Sequence, residues 1–263
     1  MHRSGTSALA RALRVLGIDI GEHRLARKDN PKGFFENQEF VAINEALLAA
    51  QGMHWDSCRQ TVPLCVSPLI ERATQFLTTF CQNRPLAGLK DPRASRLLAF
   101  WRPLCANLDR SPTILLALRN PDNVCASLAK RDAMDAEKAT TLWLLYTIDA
   151  LTQSQGLPRL CVAYDNLLEN PHKEFSRMSA LLSLPINPKE YSLFANDFLE
   201  RSLRHHTATK TVACTNPTIA HLAQRLYQRL LPTSQSMQAD ALDAQDLNAL
   251  VATIDQRLAS VQS

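Results

Sequence analysis

Apolar positions recur at helical spacing from the start of the chain. Ala8, Leu9, Ala12, Leu13 and Leu16 share one face, and Gly17 stands where a helix would be capped. The same period returns over 38–50, with Phe40, Ile43, Leu47 and Leu48 on one face. It predicts further helices over 68–82, 94–105, 136–154, 172–182, 217–231 and 239–259. Another follows Asn120 and Pro121, which read as an N-cap and a first-turn proline. Three short runs break this period: LAGL at 86–89, TILLAL at 113–118 and LCVAY at 160–164. Short, continuous apolar runs of this kind read as buried strands. Strands alternating with helices predict an α/β fold with a mainly parallel central sheet flanked by helices. Three stretches carry no period. Residues 18–37 form a polar connection in which Asp29, Asn30, Pro31, Lys32 and Gly33 are turn chemistry and Phe34 and Phe35 turn inward. Residues 52–67 and 185–215 are irregular.

Composition narrows the picture. A chain of 263 residues, 46% hydrophobic, makes one large domain, or one domain with a small appendage. A net charge of +4 fits a small anionic ligand. No basic stripe with interleaved aromatics argues for nucleic acid. The seven cysteines contain no CxxC pair and read as small buried residues of a reducing, cytoplasmic compartment. No apolar run is long enough to span a bilayer, and no signal peptide is expected ahead of the first loop. The irregular 185–215 stretch holds Arg201, Arg204, His205 and His206. Adjacent histidines lack the helical spacing of a metal pair and no third ligand accompanies them, so no metal is expected.

Four stretches carry candidate chemistry. The first is His2-Arg3-Ser4-Gly5-Thr6-Ser7, a loop running straight into a helix. Gly5 permits a tight turn and close backbone approach. A helix N-terminus offers free N–H groups and the positive end of its dipole to an anion, and Arg3, Thr6 and Ser7 add donors. The alternative is an ordinary N-cap. The loop departs from GxxxxGK[ST]: Thr6 follows Gly5 directly and the cation, Arg3, precedes it. No strand ending in a magnesium-binding Asp accompanies it. The second stretch is the 113–118 run ending in Arg119, followed by a helix carrying Ser127 and Arg131 four apart on one face. That is a second anion cradle. The third, Lys90-Asp91-Pro92-Arg93, follows a strand-like run, where open α/β sheets bind ligands. The fourth is Glu36, beside Phe34 and Phe35. It reads either as a desolvated base or as a helix N-terminal carboxylate near the dipole. His54 is a rival base or an ordinary loop residue.

Together these residues resemble the sulfotransferases that use 3′-phosphoadenosine-5′-phosphosulfate (PAPS), over most of the chain to roughly residue 210. RSGTS is similar to the family's 5′-phosphosulfate loop, and RNPDNVCASLAKR to its 3′-phosphate motif. GLKDPR resembles the motif of the tyrosylprotein and related bacterial branch. VAYDNLLENP resembles a Tyr-Glu-x-Leu-x-x-x-Pro segment, with Asp165 in place of Glu. NPKGFFEN is similar to bacterial members with carbohydrate acceptors. The resemblance implies a P-loop-containing nucleotide-binding fold. It implies a PAPS-binding domain over 1–215 whose first strand, expected ahead of Met1, is missing, and a helical extension over 216–263 packed on it. It implies sulfuryl transfer from PAPS to a hydroxyl acceptor, carbohydrate in class, leaving 3′,5′-ADP and needing no metal. Arg3 and Lys90 would neutralise charge on the transferring group. Gly5, Thr6 and Ser7, with Ser4, would hold the 5′-phosphate. Arg119, Ser127 and Arg131 would hold the 3′-phosphate. Glu36 would be the base, and Tyr164 would touch the nucleotide. Other readings are a non-catalytic or truncated nucleotide-binding relative, or a P-loop kinase. The acceptor and the oligomeric state have no readable code.

Overall fold

The structure is a computed structural model that describes residues 1–21, 35–62, 65–198, 214–235 and 245–262. The turn at Asp29–Gly33, Phe34, and Arg201, Arg204, His205 and His206 lie outside the described residues. The chain is α/β and mostly helical, with a small parallel sheet.

Helix α1 (Thr6–Val15) begins at Gly5, whose left-handed φ of 82° starts the turn, and no side chain caps it. It ends where Gly17, also left-handed, lets Ile18 donate back to Leu13. Helices α2 (Gln38–Ala49), α3 (Ser67–Cys81) and α4 (Leu98–Ala106) pack together through Phe40, Ile43, Leu47, Leu77 and Trp101. Strand β1 (Ile114–Leu118) leads into α5 (Pro121–Asp132), and α6 (Ala136–Gln153) follows. Strand β2 (Arg159–Ala163) leads into α7 (Tyr164–Glu169), α8 (Pro171–Leu182) and α9 (Pro188–Leu193). Helices α10 (Pro217–Leu230) and α11 (Gln245–Gln262) complete the described chain. Asn-Pro pairs open α5, α8, α9 and α10, the Asn side chain accepting from first-turn N–H groups.

Strands β1 and β2 pair in parallel, Ile114 opposite Arg159 through Leu118 opposite Ala163. Alternating side chains cover both faces. Leu160 and Val162 meet α1 and α8, while Leu116 and Cys161 meet α6. Helix α6 is apolar nearly all round and forms the centre of the largest core cluster. Leu222, Leu226 and Leu230 of α10, and Leu247, Val251 and Ile254 of α11, join that cluster, so the C-terminal helices share the core.

Several expectations need correction. The 86–89 run is not a strand: among the described residues it makes one parallel bridge, Ala87 to Asp19. The expected 94–105 helix starts as a 3-10 turn (Pro92–Arg96), because Asp91 caps Arg93, and becomes α-helical only at Leu98. Tyr164 opens α7 instead of ending β2. The cysteines are not uniformly buried. Cys125 and Cys161 are, Cys58, Cys81, Cys105 and Cys214 are half-buried, and Cys65 is exposed; all seven are free thiols. Between β1 and the 86–90 segment lies a mostly apolar cavity of about 580 Å³, running the length of β1.

Candidate functional site

The N-terminal loop crosses the C-terminal ends of both strands and holds two groups of candidate residues. Arg3 and Gly5 both have left-handed backbones, φ 64° and 82°, with buried Ser4 between them. Turns of this kind point successive N–H groups into a concavity that suits an anion. Arg3 donates Nε–H to Ser127 Oγ at 2.7 Å. Arg119, immediately after β1, donates to the Arg3 carbonyl at 2.8 Å. The Arg119 guanidinium lies 4.8 Å over the ring of Tyr164, which follows β2. That ring packs against Gly5 so closely that an added Cβ would stand 2.2 Å from Tyr164 Cδ2. Arg3, Gly5, Arg119, Ser127 and Tyr164 therefore form one cluster at the strand ends.

The Arg119 Nε is buried without a hydrogen-bond partner among the described residues. An unpaired buried donor is costly, and an anion beside it would relieve the cost. Burial lowers the Arg119 pKa, opposed by nearby Tyr164 and Asp165. Burial also raises the Tyr164 phenol, an effect that the Arg119 charge offsets. The Trp143 indole fixes the Arg119 backbone by donating to its carbonyl at 3.1 Å.

The second cluster is Ser7, Glu36 and Lys90. Lys90 Nζ donates to Glu36 Oε1 at 2.6 Å and lies 3.5 Å from Ser7 Oγ. Both partners are enclosed. Burial lowers the Lys90 pKa, and the Glu36 charge and hydrogen bond oppose that shift. Local backbone explains why Glu36 faces inward. Asn37 takes the cap of α2, accepting from Glu39 and Phe40, so Glu36 stays outside the helix. Phe35 precedes it with a left-handed φ of 51° and a buried ring beside Ala10 and Ile20.

Asp91 holds Lys90 in place. Its carboxylate accepts from Arg93 N–H and guanidinium and from Asn44 Nδ2, and Asn44 Oδ1 accepts from Trp101 Nε1. Asn44, Trp101 and Trp143 are supports that motif reading missed. Asn44 alone left a signal, an amide on the apolar face of α2 beside Ile43 and Leu47. His2 belongs to the loop that the sequence singled out but carried no role there: its ring packs 4.5 Å from Trp55 and 6.3 Å from Tyr146, with Nε2 buried and unpartnered among the described residues.

Three candidates stand apart from these clusters. Arg131 pairs with Asp132 at 2.7 Å and covers the Trp55 ring at 5.2 Å. Thr6 lines the cavity beside β1. His54 is exposed, its backbone N–H donating to Ser57. Among the described residues, no group of three or more His, Cys, Asp or Glu is placed to hold a metal ion, and no helix is long and apolar enough to cross a membrane. No protein-family model, curated protein or solved structure matches the chain.

Proposed function

We propose that the chain is a P-loop-type sulfotransferase that moves a sulfuryl group from PAPS to a hydroxyl acceptor, carbohydrate in class. The observation that carries this reading is the meeting of Arg3, Arg119, Ser127 and Tyr164 around the Gly5 turn, with the Lys90–Glu36 pair beside Ser7. The orphaned Arg119 Nε and the uncapped α1 are a donor set suited to phosphate.

PAPS, when bound, supplies the sulfuryl group and a 3′-phosphate. The Gly5–Ser7 backbone, with the hydroxyls of Ser4, Thr6 and Ser7, would hold the 5′-phosphate. Arg119 and Ser127 would hold the 3′-phosphate. Arg131 would join them by leaving Asp132, since a partly exposed ion pair is weak. Glu36 would accept the acceptor hydroxyl's proton, and Lys90, released from Glu36, would stabilise oxygen charge together with Arg3. Displacement of this kind asks the protein for positioning and charge stabilisation.

Calorimetric titration with 3′,5′-ADP, 5′-AMP and ATP–magnesium tests the reading. Preference for 3′,5′-ADP is expected, with affinity about 10–100-fold weaker in Arg119→Ala, the loss of about 1.4–2.8 kcal/mol in charge-assisted hydrogen bonds. Tighter binding of ATP–magnesium, or no preference for the 3′-phosphate, would overturn it.

A further inference from the structure

The cavity beside β1 has two backbone edges and two apolar faces. One edge is β1. Ile114 donates its N–H to Pro158 on the β2 side, so strand alternation turns the N–H and C=O of Leu115 and Ala117 toward the cavity. The opposite edge is the 86–90 segment. Gly88 donates to Asp19, which turns the backbone groups of Ala87 and Leu89 the other way, into the cavity. Among the described residues, no backbone hydrogen bond reaches Leu115, Ala117, Ala87 or Leu89 from that side. Leu9 and Leu13 of α1 line one face, and Trp143 and Tyr146 of α6 the other.

Exposure follows the same division. Every residue of β2 is buried, whereas Ile114 to Ala117 of β1 are only half-buried. Leu86, at the far edge, is 45% exposed. Strands of parallel sheets are normally covered on both faces and paired on both sides. An acyl chain could cover the apolar faces but would leave two rows of backbone groups unpaired in an apolar slot, which is costly. A peptide strand meets both demands. The flanking pairs, β1 with β2 and Asp19 with Ala87, are both parallel.

We propose that this cavity is a docking slot for an extended apolar peptide strand of about five residues, the span of β1, running parallel to β1 and hydrogen-bonded to both edges. In that direction its C-terminal end lies at the Leu118 end of the slot, and Met1, which shares a core cluster with Leu118, lines the cavity. The inference does not rest on the sulfuryl-transfer reading.

The test joins Lys-Ile-Val-Ile-Val-Val directly to Met1 of the full chain and compares it with a polar Lys-Ser-Asn-Ser-Asn-Ser extension. The readouts are residue-resolved amide hydrogen exchange and the thermal midpoint. Tethering gives the strand a local concentration of about millimolar. The apolar extension should slow exchange at Leu115 and Ala117 by about 100-fold and raise the midpoint by about 5 °C. Leu116, whose amide faces β2, should change far less, and the polar extension should change neither readout. Should the extended chain fail to fold, the free acetylated and amidated peptide, titrated into the unextended chain, should slow the same two amides. Fast exchange at Leu115 and Ala117 in both settings would overturn the proposal. A midpoint raised by laurate with those amides still fast would assign the slot to acyl chains instead. Slowing in the unextended chain that grows with protein concentration would assign it to a second copy.

Discussion

Glu36 and Lys90 are enclosed, with side-chain exposures of only 6% and 10%, and each would be costly to bury alone. Their contact raises the Lys90 pKa against the burial that lowers it. Glu36→Gln removes the Glu36 charge, the foremost influence that raises the Lys90 pKa, and leaves Asp91 to oppose the burial and the Arg93 charge that lower it. On the proposed function, the expected result is a kcat about 10²–10⁴-fold lower with the KM for PAPS nearly unchanged. The basic limb of the residual pH–rate profile should move to lower pH, because Lys90 then loses its proton sooner. An unchanged kcat would remove Glu36 from the chemistry. The sequence left Glu36 with two readings because its partner lies 54 positions away. The polar spacing around 36 was legible, but the choice rests on Asn37 taking the helix cap.

At the scale of elements, local chemistry was legible and pairing was not. The helices announced themselves through apolar period, and Asn120-Pro121 marked the start of α5. The 86–89 run has the composition of a strand, yet a strand exists only when its edges are paired, and this one has a single bridge. What fixes Lys90 instead is the joint between α2, α4 and the turn at Asp91. Asn44→Ala would leave the Trp101 indole and one Asp91 oxygen buried without their present partner. The expected destabilisation is about 1–3 kcal/mol for each stranded group. In thermal unfolding that is a drop of about 2–4 °C per kcal/mol. A midpoint within about 1 °C of the parent would show that water replaces the amide at no cost.

Across the whole molecule, the N-terminal loop, the 52–62 segment and α6 converge on His2. Burial, and then the charges of Arg93, Arg131 and Lys90, hold its pKa well below the ordinary 6.5. The folded chain therefore refuses a proton that the unfolded chain accepts as pH falls through 6.5, and this contribution to stability is lost below that pH. His2→Phe should keep the packing on Trp55 and flatten the curve of stability against pH below 6.5, the parent falling by up to about 1.4 kcal/mol per unit relative to the variant. Parallel curves from chemical denaturation would rule out this role. Nothing in the sequence marked this convergence, because His2, Trp55 and Tyr146 are remote from one another and share no motif. The same convergence gives the protein a built-in optical reporter. Two of the three tryptophans are wired to the candidate clusters, Trp143 to the Arg119 carbonyl and Trp101 through Asn44 to Asp91, and the third, Trp55, lies under Arg131 and against His2. Departure of Arg131 toward a phosphate would uncover the Trp55 ring, so intrinsic emission should shift on titration with 3′,5′-ADP, and the shift should vanish in Trp55→Phe. Occupancy of the site can then be followed by light alone, with no label and no acceptor.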